Sequence, residues 1–406
     1  MESRSLHTEA AGPVVLAPAK RDDARLLPQS WERALRTLAI AGVALTVVGW
    51  TVAAERTCPS LLLGSVYALG IGLGGLLFIA FGYITGAGWH VALRRVPEAM
   101  TATLPVTAIL MVAALAGFPV LYEWSHADAV AADPLLQGKA PWLNTSAFMA
   151  RAVVCLGVWI LFAAALRRNS RRQDETGRIE LTARNRVLSV LFLIAFIVTF
   201  SVASIDWLMS LEPHWYSTVF AVYHFAGIFV SGLATLTIVL IVLRRLGPLA
   251  SVLRPDHLHD IGKLTFGFAT FWGYIWFCQY MLIWYGNIPE ETAHFVLRHE
   301  GAWEPLFALN PIVNWLIPFL LLLPRSAKRS ESVMLGVALL LLAGHALDLY
   351  LAILPPFAGP RLGLWEIGPV VGALSLTALA LFRMLGRAPL VPRGDPMLTE
   401  SLHHET

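Results

Sequence analysis

Charge and cysteine are the scarcest commodities in this sequence. Only 14% of the 406 residues are Asp, Glu, Lys or Arg, against 57% hydrophobic, and the mean hydropathy is +0.64. Such a balance excludes a water-soluble globule and leaves a polytopic membrane protein of all-α class. The net charge of +3 says little about partners, and no nucleic-acid partner is expected. The three cysteines, Cys58, Cys155 and Cys278, are far apart, which excludes a CxxC pair, a CxxCH haem attachment and an iron–sulfur spacing. No metal site and no covalent cofactor is expected from this chain's own side chains.

What is present is length in apolar runs. A hydrocarbon core of about 30 Å needs roughly 20 apolar residues per helix. Ten stretches qualify, near 37–54, 61–83, 102–122, 146–166, 187–208, 216–243, 264–285, 305–324, 333–353 and 366–386. Residues 1–36 carry six basic residues and three prolines, too long and mixed for the n-region of a signal peptide, and read as a disordered cytoplasmic tail. The ten-segment domain then covers 37–386, and 387–406 forms a C-terminal tail. With the N-terminus inside, 25 of the 30 basic residues fall in the cytoplasmic segments, leaving only Arg56, Lys139, Arg151, Arg298 and Arg361 outside. That asymmetry places both termini in the cytoplasm.

The outer loops 122–142 and 286–303 are acidic, aromatic and turn-rich, as partner-facing or interfacial segments are. Pro289 followed by Glu290 and Glu291 predicts a helix N-terminus, where proline needs no donor and carboxylates meet the positive end of the dipole. In the second segment Gly70 and Gly74 stand in GxxxG register and predict a close helix crossing. Past it, GYITGAGWHVALRRVPEAM predicts a helix along the membrane surface with Arg94 and Arg95 as interfacial anchors. No internal repeat is visible.

Depth decides which polar residues need explaining. Within SIDWLMSLEPHWYSTVFAVYHFAG, Asp206 lies in the outer part of the bilayer, and Glu212 and His214 in the following turn, where charge is unremarkable. At about 1.5 Å per residue His224 lies roughly 14 Å below Trp215, near the midplane. HALDLYL puts His345 and Asp348 three residues apart on one face in the outer half of the ninth segment. Gln279, Tyr280, Trp284 and Tyr285 of the seventh segment, and Asn310, Pro311 and Asn314 of the eighth, share that depth. Ionisable groups inside a membrane are costly and mark functional sites. Each also has a plainer role: Asp206 as a helix-end ion pair, His224 as a packed ring, His345 and Asp348 as an interhelical hydrogen-bonded pair, the aromatics as interface-belt residues, and Asn310-Pro311 as a kink.

TGAGWHVALRRVPEAM, SIDWLMSLEPHWYSTVFAVYHFAG, FWGYIWFCQYMLIWYGNIPEET and HALDLYL resemble, across essentially the whole ten-helix region, the ActF-type membrane subunits of bacterial alternative complex III. These are relatives of the NrfD/PsrC proteins. The resemblance implies NrfD-like helical bundles in the bacterial cytoplasmic membrane. It also implies a sister NrfD-like membrane subunit, an iron–sulfur subunit and multihaem and monohaem c-type cytochrome subunits as partners, with a terminal cytochrome oxidase as a further one. The chemistry implied is quinol:cytochrome c electron transfer, with haem c and iron–sulfur clusters held by the partners. Carried over residue by residue, the implied polar positions are Asp206, Glu290, Glu291 and Asp348. His224 departs from the family pattern, which has an aromatic or aliphatic residue before FAG.

Quinol oxidation sends two electrons toward metal centres and two protons toward water. Carboxylates and imidazoles on the outer side suit the second task. The candidates are therefore Asp206, His345 and Asp348 as proton-handling groups, with His224 and Gln279 as secondary members and Tyr280 and Trp284 as quinone contacts. Two alternatives stay open: a proton-coupled secondary transporter, against which stands the lack of paired broken half-repeats, and a purely structural subunit of the same complex.

Overall fold

The computed structural model describes residues 26–405, so most of the expected N-terminal tail lies outside the described residues. The described residues form helices and no strand. The principal ones are α1 (Gln29–Val52), α2 (Ala54–Thr85), α3 (Arg95–Thr101), α4 (Leu104–Leu115), α5 (Thr145–Thr176), α6 (Glu180–Trp207) and α7 (Phe220–Arg245). They continue with α8 (Pro255–Gly286), α9 (Pro289–His299), α10 (Glu304–Pro311), α11 (Ile317–Leu322), α12 (Glu331–Ile353) and α13 (Leu364–Leu385).

Nine of the described helical segments are long and apolar enough to cross a membrane, which makes this a multi-pass helical membrane protein. Of the ten expected stretches, 264–285 does not reach that hydropathy. It lies inside α8, a 32-residue helix whose Trp and Tyr side chains, polar at one edge, dilute its apolar character. The third stretch is displaced from 102–122 to Arg95–Leu115. Prolines account for the shift: Pro97, Pro105 and Pro119 each fall in the first turn of a helical piece, where a missing N–H costs nothing.

α2 is the axle of the fold, and its apolar window is entirely buried. It is packed by α3, α4 and α6 on one side, by α7 and α12 on another, and by α1 and α13 on a third. Because lipid is as apolar as leucine, small residues rather than hydrophobicity set these contacts. A Cβ on Gly74 would lie 2.6 Å from the Gly232 Cα, so α2 and α7 cross backbone to backbone. α1 and α13 cross in the same way at Gly42 and Gly372. α8 ends at Asn287, held in the left-handed region with φ 46°, and Pro289 opens α9 with Glu290 and Glu291 in its first turn.

The stretch after α2 is corrected by the structure. Arg94 and Arg95 are 1% and 4% exposed, not surface anchors. Arg94 Nη1 donates to Asp395 Oδ2 at 2.6 Å, and Arg95 pairs with Glu98 and Asp174. The C-terminal segment makes this burial tolerable by docking over the pair: Ser401 Oγ donates to the Trp89 carbonyl at 2.6 Å and accepts from the Ala92 N–H at 2.9 Å. His90, buried beside Arg94, has its pKa pushed down to about 4 by desolvation and by that guanidinium.

Candidate functional site

Asp348 sits on the buried face of α12, 5% exposed. Its Oδ1 accepts from Asn310 Nδ2 at 2.9 Å and from the Tyr223 hydroxyl, and its Oδ2 accepts from Trp272 Nε1 at 3.3 Å. Donors from α7, α8 and α10 thus converge on one carboxylate. The backbone that delivers Asn310 is irregular for a local reason. Pro311 supplies no N–H, and the chain passes through a π-helical turn, Ile312–Leu316, before α11 resumes. Asn314 closes that turn, its Nδ2 donating to Asn310 Oδ1 at 2.7 Å and to the Gly344 carbonyl at 3.0 Å.

His345, one turn before Asp348, is 2% exposed, with Nδ1 4.0 Å from Asp348 Oδ2, beyond hydrogen-bond range. Its ring lies 5.1 Å from that of Tyr67, and Nε2 has no partner among the described residues. His224 is anchored apart from the carboxylate. Its Nδ1 is 3.0 Å from Ser204 Oγ, its ring packs on Phe200, and Nε2 is unpartnered.

A cavity of about 30 Å³ adjoins Asp348, bounded also by Tyr223, Gln279, Asn310, His294 and Arg298. A water needs roughly 10–15 Å³ by this measure, so there is room for about two. Gln279 Oε1, buried without a partner, lines the same cavity, and a bound water is the simplest donor for it.

Across the cavity stands a second cluster that sequence reading passed over. Glu212 Oε1 accepts from Arg298 Nη2 at 2.7 Å and from His294 Nδ1 at 3.0 Å. Arg298 also donates through Nε to the Leu351 carbonyl at 2.8 Å and through Nη2 to the Ala352 carbonyl at 3.2 Å, at the C-terminal end of α12. Trp215 stacks on His294 at 3.9 Å between ring centres. Burial alone would raise the Glu212 pKa, but His294 and Arg298 outweigh it and bring it to about 2. His294 is pushed down to about 4 by burial and by Arg298, so it is neutral at pH 7. Glu212 is therefore no ordinary loop carboxylate. The only sequence signal was a turn Glu and a loop His and Arg four residues apart, with nothing to pair them.

The remaining candidates lie elsewhere. Asp206 is 1% exposed and fully engaged, Oδ2 with Arg151 Nε at 2.6 Å and Oδ1 with Trp142 Nε1 at 2.9 Å, and the structure does not bring it to Asp348. Tyr280 packs between Trp276 and Phe307 beside the cavity. Trp284 is 67% exposed and faces away from the cluster. Glu290 is exposed and Glu291 half-buried.

The arrangement can hold a proton on a buried carboxylate, pass it to a small hydrated cavity and present it to an ionised Glu–Arg pair. No family model matches the chain, and no curated protein is significantly similar to it.

Proposed function

We propose that the chain is a non-redox membrane subunit of a quinol:cytochrome c oxidoreductase of the alternative complex III type, and that it conducts protons toward the outer side. In this reading it belongs with the ActF-type, NrfD-related subunits. It crosses the bacterial cytoplasmic membrane ten times, with α8 as the tenth crossing and both termini in the cytoplasm. The skew of 25 of 30 basic residues to one set of loops supports that orientation. The grouping of α2 to α6 and of α7 to α12 around a shared contact, with α1 paired to α13, suits two bundles flanked by a terminal pair.

The observation that carries the proposal is the cavity joining Asp348 to the Glu212, His294 and Arg298 cluster. Oxidation of a quinol releases two electrons and two protons. The electrons leave through iron–sulfur and haem centres of partner subunits. Asp348 takes up a proton while Tyr223, Asn310 and Trp272 hold the carboxylate in place. Gln279 orders the water that receives it, and Arg298 keeps Glu212 ionised at the far end. Asp206 acts here as a helix-positioning ion pair with Arg151.

A second reading, a structural subunit of the same complex, draws on the three donors that saturate Asp348 in the manner of an interhelical tie. An N-terminally tagged chain, purified in mild detergent from its native membranes, tests the assignment. Co-purifying c-type haem that is reduced by a quinol analogue is the expected result. A colourless preparation from a strain that respires normally would remove this reading and favour a transporter.

A further inference from the structure

α12 and α13 are consecutive in sequence, yet they form opposite walls of a crevice whose floor is α2. Two cavities lie in it end to end. One, about 530 Å³, is bounded by Leu63 of α2, Ala346 and Leu347 of α12, and Val370 of α13. The other, about 470 Å³, is bounded one turn further along by Tyr67 of α2, Leu342 of α12 and Leu374 of α13, with α1 at Leu35 and α7 at Ile238 and Val242 completing its walls. From Glu366 to Phe382 the α13 wall runs about 24 Å at 1.5 Å per residue, most of a hydrocarbon core of about 30 Å.

The hydroxyl donors lining the second cavity are all committed. Tyr67 Oη donates to the Leu342 carbonyl at 2.8 Å, Thr235 Oγ1 to the Ser231 carbonyl at 2.9 Å, and Thr377 Oγ1 to the Ala373 carbonyl at 2.8 Å. No hydroxyl proton is left to donate to a quinone carbonyl, and apart from the Trp31 indole edge the lining is hydrocarbon, which suits acyl chains. Leu63 and Tyr67 on the floor are 4% and 3% exposed, so the crevice floor is deeply set. The mouth of the first cavity is polar and cationic. Arg361 is exposed there, beside the Arg56–Glu366 pair, and its side chain has no carboxylate partner among the described residues. Its backbone is pinned by Tyr350 Oη, which donates to the Arg361 carbonyl and accepts from its N–H, both at 2.8 Å.

We propose that this crevice is a binding site for an anionic glycerophospholipid, its acyl chains laid along α2 between α12 and α13 and its phosphate against Arg361. The site is independent of the redox reading, since it needs only the membrane.

The test uses the full chain reconstituted in phosphatidylcholine vesicles containing phosphatidylglycerol with a diazirine near the acyl terminus. Photolysis and peptide mass spectrometry then locate the adducts. Insertion into the α2 peptide holding Leu63 and Tyr67 is expected, because α2 is otherwise enclosed, and a phosphatidylcholine probe should label it several-fold less. Arg361→Gln should lower the α2 adduct about threefold or more while leaving label on the exposed Leu339 and Ile40 unchanged. Adducts confined to such outward positions would overturn the proposal, as would α2 labelling indifferent to both headgroup and Arg361. Loss of α2 labelling in the intact assembly from native membranes, with a partner polypeptide cross-linked instead, would show that protein and not lipid fills the crevice.

Discussion

Replacing Arg298 with methionine keeps the aliphatic stem and removes the charge that Glu212 faces. The Arg298 side chain is 3% exposed and that of Glu212 17%, so the carboxylate is left nearly buried and uncompensated. Breaking a buried pair in this way costs about 3–5 kcal/mol. The pKa of Glu212 gives a second route to the magnitude. A fall from 4.5 to about 2 corresponds to roughly 3 kcal/mol of preference for the charged form in the folded state. Glu212→Gln retains an acceptor and should cost less, about 1.5–3 kcal/mol. Because the two changes remove the same interaction, the double variant should cost no more than Arg298→Met alone, a coupling of about 2 kcal/mol. Denaturant titration in mixed micelles with a fluorogenic thiol probe reads this out, since Cys58 and Cys155 are 0% and 3% exposed until the bundle opens. Additive losses, with no coupling between the two sites, would refute the buried pair.

Further outcomes follow from the same geometry. The Glu212 pKa is depressed, so its contribution is complete above about pH 4.5 and should be lost as pH falls toward 2; stability of wild type relative to Glu212→Gln across that window measures it, and a difference that grew on acidification would reverse the sign. Asp395→Ala removes the carboxylate facing fully buried Arg94 and should destabilise the docked C-terminal segment by about 3–5 kcal/mol, seen as its early proteolysis, whereas Asp395→Glu should recover part of it. Gly74→Leu drives a side chain into the Gly232 backbone and should abolish a monodisperse peak in size-exclusion chromatography; wild-type behaviour would mean that α2 and α7 do not cross there.

What was legible in the sequence was whatever lipid makes expensive. An Asp in HALDLYL or a His in YHFAG stands out against an apolar run, and both proved buried on inward helix faces. A glycine pair in GxxxG register announced the α2 crossing for a similar reason: it leaves a gap that only backbone can fill. Loop chemistry was not legible. Glu212 meets Arg298 across 86 positions and Arg94 meets Asp395 across 301, and outside the membrane a charged residue carries no mark of its partner. Reading Arg94 and Arg95 as anchors followed from their place after α2; Glu98, at i+4 and i+3 from them, was the local hint of an ion-pair network instead. Grouping Asp206 with Asp348 by depth alone failed to separate them because depth fixes height in the membrane and not position around the bundle.

The most direct measurement is proton release from the intact complex in vesicles after a quinol pulse, followed with a pH indicator for wild type and Asp348→Asn at equal haem content. Asparagine fills nearly the same space and can still accept from Asn310, so assembly should persist. If Asp348 carries the proton, release and quinol turnover should both fall about tenfold or more, in line with loss of a positioned acid–base group. Equal turnover and equal release in the fully assembled variant would contradict a proton path through Asp348 and leave this carboxylate as a tie between helices.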